Sequence, residues 1–167
     1  MARSRAQNRF LDPTCGLAFL LSQVGAHASA RFAERLEPLG LKPAHAGILG
    51  VIQQADGLSQ QALGETLGIF PSRLVAVLDE LERRGLVERR DNPNDRRSYA
   101  LYLTEAGRAA LEQIGRIGRA HQDALCAALD SSERAQLAGL LTRIAAEQGL
   151  TPGVHPGFRK LGAAEPD

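Results

Sequence analysis

Lysine is almost missing from this chain: of its 20 basic side chains only Lys42 and Lys160 are lysines, and the rest are arginine. Arginine forks onto phosphates and guanine edges in a way that a lysine point charge cannot, although a GC-rich genome would give the same bias through codon usage. Cysteine is equally scarce. Cys15 and Cys126 have neither the number nor the spacing of a disulfide framework or a zinc site, so no metal or cofactor is expected. No apolar run approaches the roughly 18 residues of a membrane span, and the segment Gly16 to Leu21 is too short. At the N-terminus Arg3, Arg5 and Arg9 lead into an amphipathic stretch without the long apolar centre of a signal peptide, which places the chain in the cytoplasm as an expectation. The four histidines (His27, His45, His121, His155) are scattered, and no glycine loop of the phosphate-cradling kind occurs. An enzyme would need a nucleophile with its base, paired carboxylates or a metal cluster, so catalysis is not expected.

What is present is helical periodicity with clear punctuation. A length of 167 residues suits one domain with a single main core. Residues 1–12 read as a flexible arm, and Asp12, Pro13 and Thr14 as a helix start. Leu17, Leu20, Leu21, Val24, Ala28, Phe32 and Leu36 then recur at three- and four-residue steps until Pro38, Leu39 and Gly40. A second helix is predicted from Pro43 to the break at Ala55, Asp56 and Gly57, and a short third one behind the N-cap Ser59, ending at Gly68. A fourth starts at Pro71, buries Leu74, Val77, Leu78 and Leu81, and ends at Gly85. Leu86 to Arg90 and Ser98 to Leu103 read as two short strands around the turn cluster Asp91 to Asp95, making a hairpin. Thr104 then caps a long helix to about Leu129, and Asp130, Ser131 and Ser132 cap a last one through Leu137, Leu140, Leu141 and Ile144 to Gly149. Residues 150–167, rich in proline and glycine, are expected to be an irregular tail.

This order predicts a mainly α fold, a winged helix-turn-helix of six helices plus a β-hairpin wing. Residues 13–149 would form a single domain, with the winged helix at about 43–104 and the flanking helices at about 13–38 and 104–149 as a dimerisation region. In such a fold the second helix of the turn motif lies in the major groove. The run Asp95, Arg96, Arg97, Ser98, Tyr99, Ala100, Leu101, Tyr102, Leu103, Thr104 resembles the D-x-R-x-x-x-x-x-L-T wing signature of the MarR family. Leu78 to Arg89 resembles the same family's recognition-helix end and first wing strand, and the likeness runs from about Cys15 to Gln148.

The resemblance implies a sequence-specific DNA-binding transcriptional regulator, a repressor released from its operator by a small-molecule effector. It also implies Arg97 at the wing tip in a narrow minor groove, with Asp95 orienting its guanidinium. Arg89, Arg90 and Arg96 are candidates for phosphate contact. A solvated, salt-bridged hairpin balanced by Glu88, Asp91 and Asp95 is the competing reading, and it leaves the adjoining turn motif unexplained. With Leu74, Leu78 and Leu81 facing the core, Ser72, Arg73, Val75 and Ala76 are left to face DNA. Arg73 is the candidate for guanine O6 and N7 and Val75 for a thymine methyl. The family often has a polar or basic residue where Ala76 stands, which shifts weight toward the wing and DNA shape.

The flanking helices carry more apolar surface than one winged domain needs, so a homodimer on an imperfect palindrome is expected, with half-sites about 10 bp apart or slightly more. The family also implies a small aromatic or anionic effector between the dimerisation helices and the winged domain, for which His27, Arg31 and His45 are the candidate residues. Cys15, near the start of the first helix where the dipole lowers a thiol pKa, is a candidate redox sensor. Peroxide-sensing relatives place that cysteine about one turn later, where this chain has Ala18, and their tyrosine partners have no counterpart here because both tyrosines lie in the wing. Cys126, on the apolar side of its helix, reads as a small core residue. A winged-helix protein-interaction module without DNA binding is the remaining alternative, since the charge near the wing is only slightly basic.

Overall fold

The computed structural model describes residues 16–92 and 99–160. Its helices are α1 (Leu17–Leu36), α2 (Pro43–Gln54), α3 (Gln60–Leu67), α4 (Pro71–Arg83), α5 (Glu105–Leu125), α6 (Ser131–Glu147) and the short α7 (Gly157–Lys160); its strands are β1 (Leu58–Ser59), β2 (Val87–Asp91) and β3 (Tyr99–Leu103). The expected winged helix-turn-helix is there. The start proposed around Asp12 to Thr14 and the wing tip at 93–98 lie outside the described residues.

The helix ends follow from side chains that satisfy otherwise unpaired amides. Ser59 Oγ accepts from the Ala62 amide at 3.1 Å, and Thr104 Oγ1 accepts from the Gly107 amide at 2.9 Å. Asp130 and Glu133 form a reciprocal capping box, each side chain accepting from the other's backbone N–H at 2.9 Å. Gly68 (φ 64°) and Gly85 (φ 66°) take the left-handed conformation that turns the chain out of α3 and α4.

Two elements differ from the sequence expectation. The hairpin is part of a three-stranded antiparallel sheet ordered β1-β3-β2, because Leu58 and Ser59 pair with Leu101 and Ala100 on the far side of β3. The tail is not irregular throughout: it returns through Val154 and α7, and Phe158 is buried over α2.

The core lies between α2, α3, α4, the sheet and the first half of α5, with Leu36, Ile48, Leu49, Ile52, Leu63, Leu78, Leu81 and Leu101 completely enclosed. A close approach fixes α5 against the sheet: a Cβ on Gly107 would stand 1.9 Å from the Leu86 carbonyl oxygen. By contrast α6 buries none of its residues, and Leu17, Phe19, Leu20 and Val24 of α1 are exposed. No helix among the described residues is long and apolar enough to cross a membrane.

Candidate nucleic-acid interface

Helix α4 is positioned from one face. Leu74, Leu78 and Leu81 are buried, which turns Ser72, Val75 and Ala76 outward by helical periodicity, with Arg73 exposed beside them. Its entry is tight, since a Cβ on Gly64 of α3 would sit 3.3 Å from Leu74 and 3.4 Å from the Ile69 carbonyl oxygen. All four residues read from the sequence as facing DNA are therefore on the surface at the N-terminal end of α4.

Three polar links orient this helix, and sequence reasoning had assigned none of them. Arg89 of β2 reaches Asp79 at 2.6 Å and Glu82 at 2.5 Å, both on α4, and its side chain is only 16% exposed. Two carboxylates thus hold the guanidinium of Arg89, read from the sequence as a phosphate contact, against the helix. Arg84, just past α4, donates to the carbonyls of Gly40 at 2.6 Å and Leu39 at 2.8 Å, tying the end of α4 to the turn after α1. His45 Nε2 lies 3.6 Å from Glu80 of α4.

Arg90 is exposed near the tip end of β2. It pairs with Glu88 and lies 4.5 Å above the Tyr102 ring, a cation–π contact that leaves its outer edge toward solvent. Asp95, Arg96 and Arg97 fall outside the described residues, as does Cys15. Cys126 is a half-exposed free thiol in the turn after α5 rather than a core residue.

A second, smaller site lies between α1 and α5. A cleft of about 220 Å³ is lined by His27, Arg31, Arg35, His121, Ala124 and Leu125, so its polar lining is entirely basic. Arg31 pairs with Glu34 at 2.5 Å on the same helix. Arg35 Nε is buried without a hydrogen-bond partner among the described residues. His121 packs on Phe32 with ring centroids 5.6 Å apart, and burial, then Arg35, His27 and Arg31, push its pKa below the ordinary imidazole value.

Of the residues read as an effector site, His27 and Arg31 meet here and His45 does not. His45 is 2% exposed at the start of α2, where its Nδ1 accepts from the Lys42 amide at 3.3 Å. Arg35 and His121 were missed, although Arg35 stands one turn after Arg31 and both histidines lie on the facing stripes of their helices.

Comparison with known proteins bears on this geometry. Residues 39–98 match the model of the MarR family. A Thauera aromatica protein assigned to regulation of the hcr operon is 35% identical over 137 residues, 81% of this chain and 82% of its own length. The multiple antibiotic resistance protein MarR of Escherichia coli is 31% identical over 129 residues, 77% of this chain and 90% of its own. Among solved structures, the transcriptional repressor CouR bound to a 23-mer DNA duplex superposes with a TM-score of 0.73 at 33% identity, covering 82% of this chain and 97% of CouR. A mutant Escherichia coli MarR complexed with operator DNA gives a TM-score of 0.67 at 31% identity, covering 77% of this chain and 92% of that one.

Proposed function

This chain belongs to the MarR family and is a DNA-binding transcriptional regulator, and from that premise we propose that it is a cytoplasmic, homodimeric repressor of an imperfect palindrome, without catalytic chemistry of its own, released by a small anionic effector. The observation that carries the DNA contact is the exposed outward face of α4, with Ser72, Arg73, Val75 and Ala76, and Arg90 is exposed separately near the tip end of β2. Arg73 supplies base recognition, Arg90 and Arg96 phosphate contact, and Arg97, oriented by Asp95, the minor-groove contact. CouR and Escherichia coli MarR, which share this fold, have been captured on duplex DNA.

The effector binds in the α1–α5 cleft. Four basic groups, one of them with a buried Nε that has no partner among the described residues, favour a carboxylate, and Phe32, Ala124 and Leu125 offer apolar contact to an aromatic ring. Its binding reaches DNA through α1, because the turn that ends α1 holds Arg84 at the base of α4. A ligand acts only through its differential affinity for two arrangements, and this tie lets a shift of α1 change the spacing of the two recognition helices.

Fluorescence anisotropy on the gene's own upstream intergenic DNA, against a scrambled duplex and across salt, tests the reading. Preferential binding with a steep salt slope is expected, weakened by Arg73→Ala and Arg97→Ala, with discrimination lost mainly in Arg73→Ala. Benzoate should release the wild type at lower concentration than Arg35→Met. Equal binding to both duplexes by wild type and variants would count against it and favour a protein-interaction module.

A further inference from the structure

Beyond Val75, read from the sequence as a thymine-methyl contact, the reading end of α4 carries further exposed apolar side chains. Phe70, the residue before the helix, is 62% exposed, Val75 is 39% exposed, and Pro71 and Ala76 are exposed with them. Phe70 lines a cleft of about 650 Å³ together with Gly64, Gly68 and Ile69. Single exposed apolar side chains need no explanation, but a cluster at the end of a helix that enters the major groove does.

Bidentate base reading uses Arg, Lys, Asn or Gln, whereas Asp or Glu accepts from cytosine and Ser or Thr makes single contacts. On the outward face of the first two turns there are Ser72, Val75 and Ala76, with Arg73 at the flank, and the next outward residue, Asp79, is held by Arg89. Phe70 is the residue that caps α4 and Val75 opens its second turn, so both stand at the N-terminal end that carries Ser72 and Arg73, the end whose residues meet base edges when such a helix enters the groove. In the major groove the apolar group presented by a base edge is the C5-methyl of thymine.

We propose that this helix reads thymine methyl groups through Phe70 and Val75, so that each half-site carries thymines at the steps facing those residues. This rests on the DNA-binding reading above and adds to it the composition of the sequence bound. The two residues are five apart, about 7.5 Å along a helix axis at 1.5 Å per residue, or about two steps of a strand at 3.4 Å each. The thymines therefore fall within one short stretch, with Arg73 reading beside them.

The test uses the full-length protein and duplexes it selects from a random-sequence library. Wild type, Phe70→Ser and Val75→Ser, each with its fold checked by circular dichroism, are titrated on the selected duplex containing either thymine or deoxyuridine, which removes only the methyl. Since both side chains are exposed, the variants keep the core. Wild type should bind the deoxyuridine duplex about fourfold more weakly for each contacted methyl, the cost of about one buried methylene. Each variant should bind the thymine duplex more weakly and show a smaller thymine-to-uracil ratio. Equal wild-type affinity for the two duplexes, or a ratio that neither variant changes, overturns the proposal. Failure to enrich any duplex from the library would instead defeat the DNA-binding reading on which it rests, and this inference with it.

Discussion

At the scale of single residues, His45 shows how a group read as a ligand contact takes a structural role. Its imidazole is enclosed, its Nδ1 accepts from the Lys42 amide, and the remaining N–H is directed toward Glu80. Burial holds its pKa below the ordinary value and outweighs the opposing pull of Glu80, while Lys42 and Arg84 lower it further. In the unfolded chain the imidazole titrates near its usual value of about 6.5. As pH falls through that value the unfolded state takes up the proton first, so stability present above it is lost toward the depressed folded pKa. Thermal melts should therefore show a midpoint that falls between about pH 7.5 and 5.5. The fall should be shallower in His45→Gln, with a residual slope from His121, whose pKa is lowered too. An unchanged slope in His45→Gln would show that this imidazole does not carry the pH dependence.

At the scale of elements, the contact between α2 and the tail makes a prediction whose sign depends on its partner. A Cβ on Gly47 would stand 2.2 Å from Phe158, so that glycine is where the aromatic ring lies across α2. Gly47→Ala should destabilise the chain by about 1–3 kcal/mol through overpacking. In a Phe158→Ala background the same change should stabilise by up to about 1 kcal/mol through helix propensity. Urea titration of the four proteins measures both, and equal effects in the two backgrounds would mean that the ring does not occupy that position. The β2–α4 clamp gives a second prediction. Because Asp79 and Glu82 are half-exposed, Arg89→Ala should cost only about 1 kcal/mol of stability. It should weaken DNA binding without the unit decrease in salt slope that loss of a phosphate contact produces, which salt-dependent anisotropy would reveal. These elements also show what the sequence made legible. Periodicity and the caps Ser59, Thr104 and Asp130 located helices α3, α5 and α6 because those signals are local. Strand β1 was hidden because two residues carry no period and exist as a strand only through β3. The turn at Phe158 depends on a gap more than a hundred residues earlier in the chain, and the pairing of Arg89 on side chains that alternation alone cannot orient. The basic cleft was half legible, since α1 spacing brings Arg31 toward Arg35 but not either toward His121.

At the scale of the whole molecule, the division of apolar surface decides how it assembles. The winged part encloses its leucines, whereas Leu137, Leu140, Leu141 and Ile144 of α6 are each 40–46% exposed, and α6 buries nothing. Leu17 and Leu21 of α1 share a cleft of about 530 Å³ with those residues, so the two exposed stripes form one continuous surface. An amphipathic helix draws most of its stability from burying its apolar face, and one of 17 residues with no buried side chain lacks that support in a lone chain. In the homodimer proposed above a two-fold partner supplies it, each α6 stripe packing against the other chain, with the two reading helices on successive major grooves. Leu140→Glu with Ile144→Glu sets charge into both turns of that stripe without touching the enclosed core. Light scattering coupled to gel filtration should give a dimer for wild type and a monomer for the double variant. Because assembly and helix formation are linked, helicity should also fall, mostly by melting of α6. Half-site binding should survive in the monomer, weakened to the level of a single winged domain, while preference for the full palindrome over a half-site disappears. A double variant that remained dimeric with its palindrome preference intact would place the interface on another surface and remove α6 from the account of how the two reading heads are spaced.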